Sequence, residues 1–315
     1  MTRFVADTRR DTKARSPRLS RVRRSPEARA LIWLGPSLIL ILGVVVYPIV
    51  ILVQTSLDRI NLTGLDKGFV GFANFQKLFS QPDLVPVLWN TASWVAVSVT
   101  LIMVLGFFVA ELLNQRFPFR KAIRLALLVP WAASVLMTAM GFRWIYSFYY
   151  GALNPVLQAL HLISSPVDWL GTDATFFPSL VIVTVFVSVP FTTYVLLAGL
   201  QSIPGEVLEA AVIDGAGRTQ VARFVTLPFL RPYIGLAAVL NAIWIFNSFP
   251  LVYILNKSNP GYSHDVALTY MYKLAFDTAL DMGEAAAMSV VNVMILTVFV
   301  ILYMRVLRPE DAEAA

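Results

Sequence analysis

Two histidines, His161 and His264, are the residues of this 315-residue chain best suited to acid–base or metal chemistry. They are far apart in sequence, and the chain contains neither an H-E-x-x-H nor a G-x-S-x-G pattern. It also has no cysteine, which excludes a disulfide, a thiolate metal site and a cysteine nucleophile. Because a lone histidine is seldom a ligand, we interpret both as solvated or interfacial side chains in loops. We therefore predict no catalytic residue, no metal site and no enzymatic activity in this chain.

Ionisable side chains that could drive coupled transport are missing from the middle of the long apolar segments. A carrier coupled to protons or sodium normally keeps such a group deep in a membrane span. The charged residues nearest to these segments lie at their ends, where anchoring and packing explain them: Glu111, Arg124, Arg143 and Glu284. A P-loop is missing too, so the chain cannot drive transport with its own ATP hydrolysis. A secondary carrier is therefore disfavoured.

One polar segment, residues 201–232, has a pattern that predicts two short helices with a break between them. Pro204 suits a helix start, while Gly215 and Gly217 allow a sharp turn, with Gly215 expected at a positive φ. Pro228 is expected to end the second helix before the next apolar segment. Apolar residues recur at helical spacing in both halves: Val207, Leu208, Ala211, Val212, Val221, Phe224 and Val225. Such an amphipathic hairpin fits a docking element for a partner protein, or a helix lying flat on the membrane.

The elements that must position these residues are membrane spans. Hydrophobic residues make up 57% of the chain and charged residues 14%, with a mean hydropathy of +0.69, which excludes a water-soluble fold. Because a span needs about 20 apolar residues and a buried charge is costly, charge-free intervals mark the spans. We predict six, at about residues 30–54, 88–112, 123–146, 178–200, 234–255 and 284–305. Residues 144–167 are predicted to form an interfacial loop with a short helix.

The distribution of Lys and Arg orients the spans, since these residues gather on the cytoplasmic side. With the N-terminus inside, nineteen of them lie on the inner side and six on the outer side. We therefore predict an all-α, multi-pass protein of the cytoplasmic membrane with both termini inside. Basic residues 1–29 form a predicted disordered tail that contacts anionic lipid, and residues 306–315 form a short C-terminal tail. The first span is too long for the apolar region of a cleaved signal peptide.

The polar segment resembles the EAA loop of ABC importer permeases. Glu209-Ala-Ala is followed after three residues by Gly215, and after nine more by Val225-Thr-Leu-Pro228. Only Val225 departs from the family pattern, which has isoleucine there. The resemblance covers about residues 35–305 and is nearest to the first permease of carbohydrate importers of the maltose-transporter type. Its further motifs are at residues 47–48, 69–75, 128–131, 151–154, 246–249 and 285–287. Residues 256–260 replace the family's usual Thr, Gly, Gly, Pro, so we expect a different outer gate there.

This resemblance implies a type I ABC importer permease fold with six transmembrane helices, and import of a sugar by alternating access in a bacterial or archaeal cell membrane. It implies that the residues coupling transport to the ATPase are Glu209, Ala210, Ala211, Asp214, Gly215, Leu227 and Pro228. It places the solute contacts at Trp131, Val135, Thr184, Ser188, Phe191, Trp244, Asn247 and Ser248. Helical spacing independently puts the fourth-span group on one face and the fifth-span group on another. Packing or helix–helix hydrogen bonds remain the alternative role for each solute contact.

The resemblance also implies the partners. They are a second permease subunit in a heterodimer, two nucleotide-binding ATPase subunits and an extracytoplasmic solute-binding protein, with membrane lipid around the spans and no nucleic acid. The chain itself is expected to bind no cofactor, because ATP and magnesium belong to the ATPase subunits. Two other functions stay open: a permease for a non-sugar solute, such as a glycerophosphodiester or a polyamine, and a non-transporting scaffold that docks a cytoplasmic partner.

Overall fold

A computed structural model describes residues 26–60, 66–257, 259, 261–277 and 279–306. Residues 1–25 of the predicted basic tail and residues 307–315 of the C-terminal tail lie outside the described residues. Residues 26–29 belong to the first helix rather than to the tail. Five described helices are long and apolar enough to cross a membrane, and the number rises to six if a bent pair of helices counts as one span.

The first helical run consists of α1 (Pro26–Leu40), a π-helical stretch (Ile41–Val46) and α2 (Tyr47–Leu57). The backbone N–H of Tyr47 donates to the Leu42 carbonyl, five residues back, directly before Pro48. In a regular α-helix a proline clashes with the carbonyl four residues earlier and leaves it without a donor. The wider π turn accommodates this defect, so the helix continues through the proline.

A small hairpin and a short helix follow. Strand β1 (Asp58–Ile60) pairs antiparallel with β2 (Asp66–Phe69), and α3 (Ala73–Phe79) comes next. The Asn74 amide donates to the carbonyls of Ser56 and Asp58, each at 2.9 Å. These two bonds fix α3 to the end of α2.

Two long helices, α4 (Leu84–Asn114) and α8 (Asp173–Ser202), pack side by side. They run in the same direction, because Trp94 bonds Thr184 near their starts and Gly106 lies against Thr192 further along. A Cβ atom on Gly106 would lie 2.8 Å from Thr192 Cγ2, so only glycine allows this close approach.

The predicted third span is broken into two helices. They are α5 (Arg120–Ala132) and α6 (Val135–Ile145), bent by 92° at an extended Ala133–Ser134 link. Pro130, in the last turn of α5, lacks the N–H that would continue the helical bonding. The short helix predicted within residues 144–167 is α7 (Leu153–Ala159).

The polar segment and the last two spans contain the remaining helices. These are α9 (Gly205–Ile213), α10 (Arg218–Val221), a π-helical stretch (Ala222–Thr226), α11 (Leu227–Phe246), α12 (Phe249–Leu255), α13 (Ala267–Phe276) and α14 (Met282–Val306). The prediction that Pro228 ends a helix is wrong. Residues from Arg218 to Phe246 form one continuous helix, because the Leu227 N–H bonds the Ala222 carbonyl five residues back, as at Pro48. The predicted fifth span is instead interrupted at Asn247 and Ser248.

A buried apolar cluster joins the C-terminal ends of α4 and α8 to the polar segment. We call it the loop-end cluster; it comprises Ala110, Leu113, Leu196, Leu197, Leu200, Ile203 and Leu230. Phe117 and Leu208 pack against it from the α4–α5 turn and from α9. The two ends of residues 201–232 are therefore anchored in the same core as α4 and α8.

Candidate functional site

The first half of residues 201–232 ends in a hydrogen-bonded helix cap. The Ala216 N–H donates to the Ala211 carbonyl and the Gly215 N–H to the Val212 carbonyl, both at 3.0 Å. This pair of bonds is the Schellman arrangement, which requires a left-handed residue just after the helix. Gly215 supplies it with φ +80°, which confirms the positive φ expected from the sequence.

A second cap begins the other half. The backbone N–H of Gly217 donates to Gln220 Oε1 at 2.8 Å, which caps the start of α10. Only residues 214–217 separate α9 from α10. Because both sides of the turn are capped, α9 and α10 form a defined hairpin, and the residues that flank it, Ile203 and Leu230, lie in the loop-end cluster.

Five of the seven predicted coupling residues lie in α9 or in the turn after it, and Leu227 and Pro228 begin α11. The side chains of Glu209, Ala210, Asp214, Leu227 and Pro228, and Gly215 itself, are exposed, and Ala211 is half-buried. Next to them Ile213 is 85% exposed, and Val212 is also largely uncovered. Apolar residues exposed beyond the spans are typical of an interaction surface. The exposed coupling residues of α9 and the turn after it thus lie beside exposed apolar side chains.

The break in the third span carries an aromatic pair. Trp131, in the last turn of α5, stacks on Phe191 of α8 with ring centroids 6.5 Å apart and planes inclined by 19°. The Trp131 side chain is 54% exposed. Val135, the first residue of α6, is half-buried against a neighbouring apolar cluster. Of the predicted solute contacts, the structure brings Trp131 and Phe191 into direct contact.

The break in the fifth span carries three more predicted contacts. Asn247 ends α11, and its side-chain amide donates to the Ile243 carbonyl at 2.8 Å. Ser248, which precedes α12, is buried, whereas Trp244 is 36% exposed one turn earlier. Since α12 packs against α6, the segments beyond the two breaks lie together.

The other two predicted contacts are buried in the α4–α8 interface. The Thr184 hydroxyl accepts a hydrogen bond from Trp94 Nε1 at 3.1 Å and donates to the Leu180 carbonyl at 2.8 Å. Ser188 Oγ is enclosed without a hydrogen-bond partner among the described residues. Both side chains are therefore covered by protein in this conformation.

Asn241 was missed by the sequence reasoning. Its amide donates to Thr192 Oγ1 at 2.8 Å and to the Ala237 carbonyl at 2.7 Å, which ties α11 to α8 inside the apolar core. Its spacing could have indicated it, because residues 241, 244 and 248 share one helical face and the last two were predicted solute contacts.

Charged side chains clamp α3 to the start of α14. Lys77 Nζ lies 2.7 Å from Asp281 Oδ2 and 2.6 Å from Glu284 Oε2. Burial lowers the pKa of Lys77, but its bonds to the two carboxylates outweigh burial and raise that pKa above its usual value. Burial favours neutral Asp281, yet Lys77 and the backbone N–H groups of Glu284 and Gly283 hold the pKa of Asp281 below its usual value.

The connection between α12 and α13 is also held by polar contacts. Lys273 Nζ is 2.8 Å from Asp265 Oδ2 and donates to the carbonyls of Asn259 and Gly261. Burial raises the pKa of Asp265, although its bond to Lys273 opposes the shift. Part of the segment that departs from the family pattern, Ser258 and Pro260, lies outside the described residues.

The prediction that His264 is solvated or interfacial is wrong. Its ring is buried and stacks on Phe176 at 4.4 Å with planes inclined by 3°. Its Nε2 lies 2.7 Å from Asp173 Oδ1, because the connection after α12 folds over the start of α8. His161 is exposed, as predicted.

Comparison with known proteins places the chain in a family. Residues 102–310 match the family model described as binding-protein-dependent transport system inner membrane component. The chain is 39% identical over 271 residues to a probable ABC transporter permease protein of Brucella suis, covering 86% of this chain and 93% of that protein. It is 34% identical to the trehalose/maltose transport system permease protein MalF of Thermococcus litoralis (86% and 90% covered). It is 31% identical to the sulfoquinovosyl glycerol transport system permease protein SmoG of Agrobacterium fabrum (90% and 91% covered).

A solved structure has the same fold. It is the crystal structure of a bacterial ABC transporter involved in the import of the acidic polysaccharide alginate, matched with a TM-score of 0.78 at 23% identity over 90% of this chain and 96% of that one. The chain therefore belongs to the family of binding-protein-dependent transport system inner membrane components, and it is a multi-pass protein of the cytoplasmic membrane.

Proposed function

We propose that this chain is the permease subunit of an ABC importer that moves a sugar into the cell by alternating access. The observation that carries the proposal is the capped hairpin of α9 and α10, which holds Glu209, Ala210 and Gly215 on an exposed surface anchored to two spans. A hairpin built this way can receive force from a partner and pass it to α8 and α11.

The relatives support a sugar as the solute. The names of two of them specify trehalose or maltose and sulfoquinovosyl glycerol, all of which carry pyranose rings. Pyranose faces stack on aromatic rings, and sugar hydroxyls need hydrogen-bond partners in an otherwise apolar pocket. The exposed ring of Trp131 and the polar groups beside Trp244 offer both kinds of contact.

The solute path is proposed to pass the two helix breaks. Interrupted spans place polar backbone and side chains at membrane depth, where transporters of several folds bind their solutes. Trp131 and Phe191 would stack on the sugar at one break, and Trp244 and Asn247 would contact it at the other. Thr184, Ser188 and Ser248, which are covered in this conformation, would become accessible only when α4, α8 and α12 move apart.

The driving force would come from partner subunits. Closure of an ATP-bound pair of nucleotide-binding subunits against the hairpin would move α9 and α10 together with the loop-end cluster. Because α8 ends and α11 begins in that cluster, the movement would tilt both helices and change which side of the membrane has access to the two breaks. A second permease would complete the path, and a solute-binding protein would deliver sugar from outside. This orientation, with the hairpin and both termini in the cytoplasm, is part of the proposal.

Reconstitution tests the function. The chain should be purified with its second permease and ATPase subunits, placed in vesicles and supplied with the solute-binding protein. We expect uptake of a labelled glycoside that needs ATP, the binding protein and this chain together. Binding of the partners without ATP-dependent uptake of any glycoside, glycerophosphodiester or polyamine would favour a scaffold. Uptake of a non-glycoside alone would support the role as a permease but would show that the solute is not a sugar.

A further inference from the structure

The turn between α4 and α5 contains a basic pocket that the transport function does not use. Its volume is about 500 Å³, and it is lined by Arg116, Phe117, Phe119, Arg120, Lys121 and Ala122. We propose that this pocket binds the phosphate of an anionic phospholipid of the inner leaflet. The inference rests on the orientation proposed above, which puts this turn at the cytoplasmic membrane surface.

The pocket lies at the same end of the molecule as the coupling hairpin. Phe117, which lines the pocket, packs against the loop-end cluster, as does Leu208 of α9. Since α4 runs parallel to α8, its C-terminal turn ends at the level where α8 enters the hairpin. A lipid held here would therefore contact the base of the coupling element, at the depth of the phospholipid headgroups.

The charges around the pocket are positive and unpaired by carboxylates. Arg120 donates to the Gln115 carbonyl and Arg124 to the Leu113 carbonyl, so these two side chains also cap the end of α4. Arg116 and Lys121 make no hydrogen bond or ion pair with any other described residue. Within the described part of the chain, none of the four cations forms a salt bridge. Clusters of this kind at the cytoplasmic side of spans suit anionic headgroups.

The surface that continues from the pocket distinguishes a lipid from a free phosphate. Leu125 and Val129 lie four and eight residues after Lys121, so the three side chains share one face of α5. Leu125 is 67% and Val129 66% exposed. Phe119, at φ +63° immediately before α5, leaves its ring largely exposed at the edge of the pocket. A phosphate site followed by an exposed apolar face matches a headgroup and its acyl chain.

Retention of lipid by the purified importer complex tests this assignment. The complex in detergent is titrated separately with phosphatidylglycerol and with phosphatidylcholine, and bound lipid is measured by native mass spectrometry. We expect saturable retention of phosphatidylglycerol over phosphatidylcholine. The double variant R116Q/K121Q should bind phosphatidylglycerol about 30-fold more weakly, since each cation near anionic lipid contributes about 1 kcal/mol. R305Q, which removes an exposed arginine at the end of α14, should leave retention unchanged.

Two further measurements, a salt titration and a competition with inorganic phosphate, distinguish a lipid site from a site for soluble phosphate. Raising the salt concentration should release phosphatidylglycerol from the parental complex, which needs no variant and therefore survives a failure of R116Q/K121Q to assemble. Excess inorganic phosphate should not displace the lipid; displacement would identify a soluble phosphate site and overturn the proposal. Equal retention by the parental complex and R116Q/K121Q, or no retention by the parental complex, would also overturn it. ATP-driven uptake is measured on the same preparations, so a lost lipid site is distinguishable from a lost transport function.

Discussion

Two pairs of polar side chains buried in the apolar core hydrogen-bond across helices. Trp94 Nε1 on α4 donates to Thr184 on α8, and the Asn241 amide on α11 donates to Thr192, which is also on α8. An indole or amide N–H left without a partner in this environment is costly, so each pair favours one arrangement of its two helices. Thr184 is thus bound within the protein in this conformation, whereas Trp131 and Trp244 have exposed ring surface that a solute can contact.

Removing the Thr184 hydroxyl tests this packing role. Thr184→Val keeps the shape of the side chain but leaves Trp94 Nε1 without its acceptor. We expect the free energy of unfolding to fall by about 0.5–2 kcal/mol, measured by thermal unfolding of the purified complex in detergent. Thr184→Ser keeps the hydroxyl and should stay close to the parental value. A Thr184→Val variant as stable as Thr184→Ser would show that the bond to Trp94 contributes nothing.

Truncation of Trp244 tests the solute path. Trp244→Ala removes the partly exposed ring beside the break in the fifth span, and Ser188→Ala removes a hydroxyl that the transported sugar would meet after rearrangement. Each loss of a contact worth about 1–3 kcal/mol should lower the maximal uptake rate by about fivefold or more while assembly stays intact. Trp89→Ala, which removes an exposed tryptophan at the start of α4, serves as the control and should transport normally. Parental rates in both Trp244→Ala and Ser188→Ala would place the path elsewhere.

At the scale of elements, the hairpin of α9 and α10 depends on one backbone conformation. Gly215 is at φ +80°, and a Cβ there would meet no atom within 4 Å. The effect of a substitution is therefore conformational strain rather than a clash within this chain, and a β-branched residue resists this region most. Gly215→Val should therefore disrupt the Schellman cap and change the direction of the chain between α9 and α10.

We expect Gly215→Val to lose the ATPase subunits on purification, or to retain ATP hydrolysis with transport abolished. Subunit stoichiometry, ATPase activity and uptake are measured on the same complex. Gly68→Val in the β1–β2 hairpin is the matched control, because Gly68 is at φ +98° with equally open space but lies outside the hairpin of α9 and α10. That variant should keep normal stoichiometry and uptake. Full transport by Gly215→Val would mean that the hairpin does not couple to the ATPase.

The clamp between α3 and α14 predicts a pH dependence of stability. The pKa of Asp281 is held below its usual value of 3.8, so its bond to Lys77 stabilises the fold above about pH 4 and is lost as the pH falls through the lowered pKa. Asp281→Asn should therefore cost up to about 1 kcal/mol at neutral pH, discounted for the partial exposure of Lys77. The difference between the two proteins should shrink on acidification, as measured by thermal unfolding at a series of pH values. A difference that stays constant to pH 3 would exclude a role for the Asp281 charge.

The six spans could be predicted because a charge inside a bilayer is costly, so charge-free intervals mark them without further knowledge. The interruptions could not, since Ala133-Ser134 and Asn247-Ser248 contain no glycine or proline themselves and lie inside the charge-free stretches 125–142 and 232–256. Pro228 was misjudged because a proline indicates a break locally, whereas the preceding π turn absorbs it. The burial of His264 depends on the chain after α12 folding over α8, a contact between residues distant in sequence.

At the scale of the whole molecule, the parallel packing of α4 and α8 constrains the topology. Both helices end at the loop-end cluster, so the α4–α5 turn and the coupling hairpin face the same side of the membrane. The connection between α7 and α8 precedes α8 and therefore faces the other side. The excess of Lys and Arg predicts which side is the cytoplasm, since Arg116, Arg120, Lys121 and Arg124 all lie in or beside the α4–α5 turn.

Single cysteines can test this orientation because the parental chain contains none. Ser164 lies in the α7–α8 connection and Arg218 at the start of α10, and both are exposed. In intact cells a membrane-impermeant maleimide should label Ser164→Cys and leave Arg218→Cys unlabelled, while both should react after the cells are opened. The second condition matters, because a partner ATPase seated on the hairpin could also shield residue 218. Labelling of Arg218→Cys in intact cells would put the coupling hairpin outside, where no ATP-hydrolysing subunit could reach it, and the proposed importer mechanism would fail.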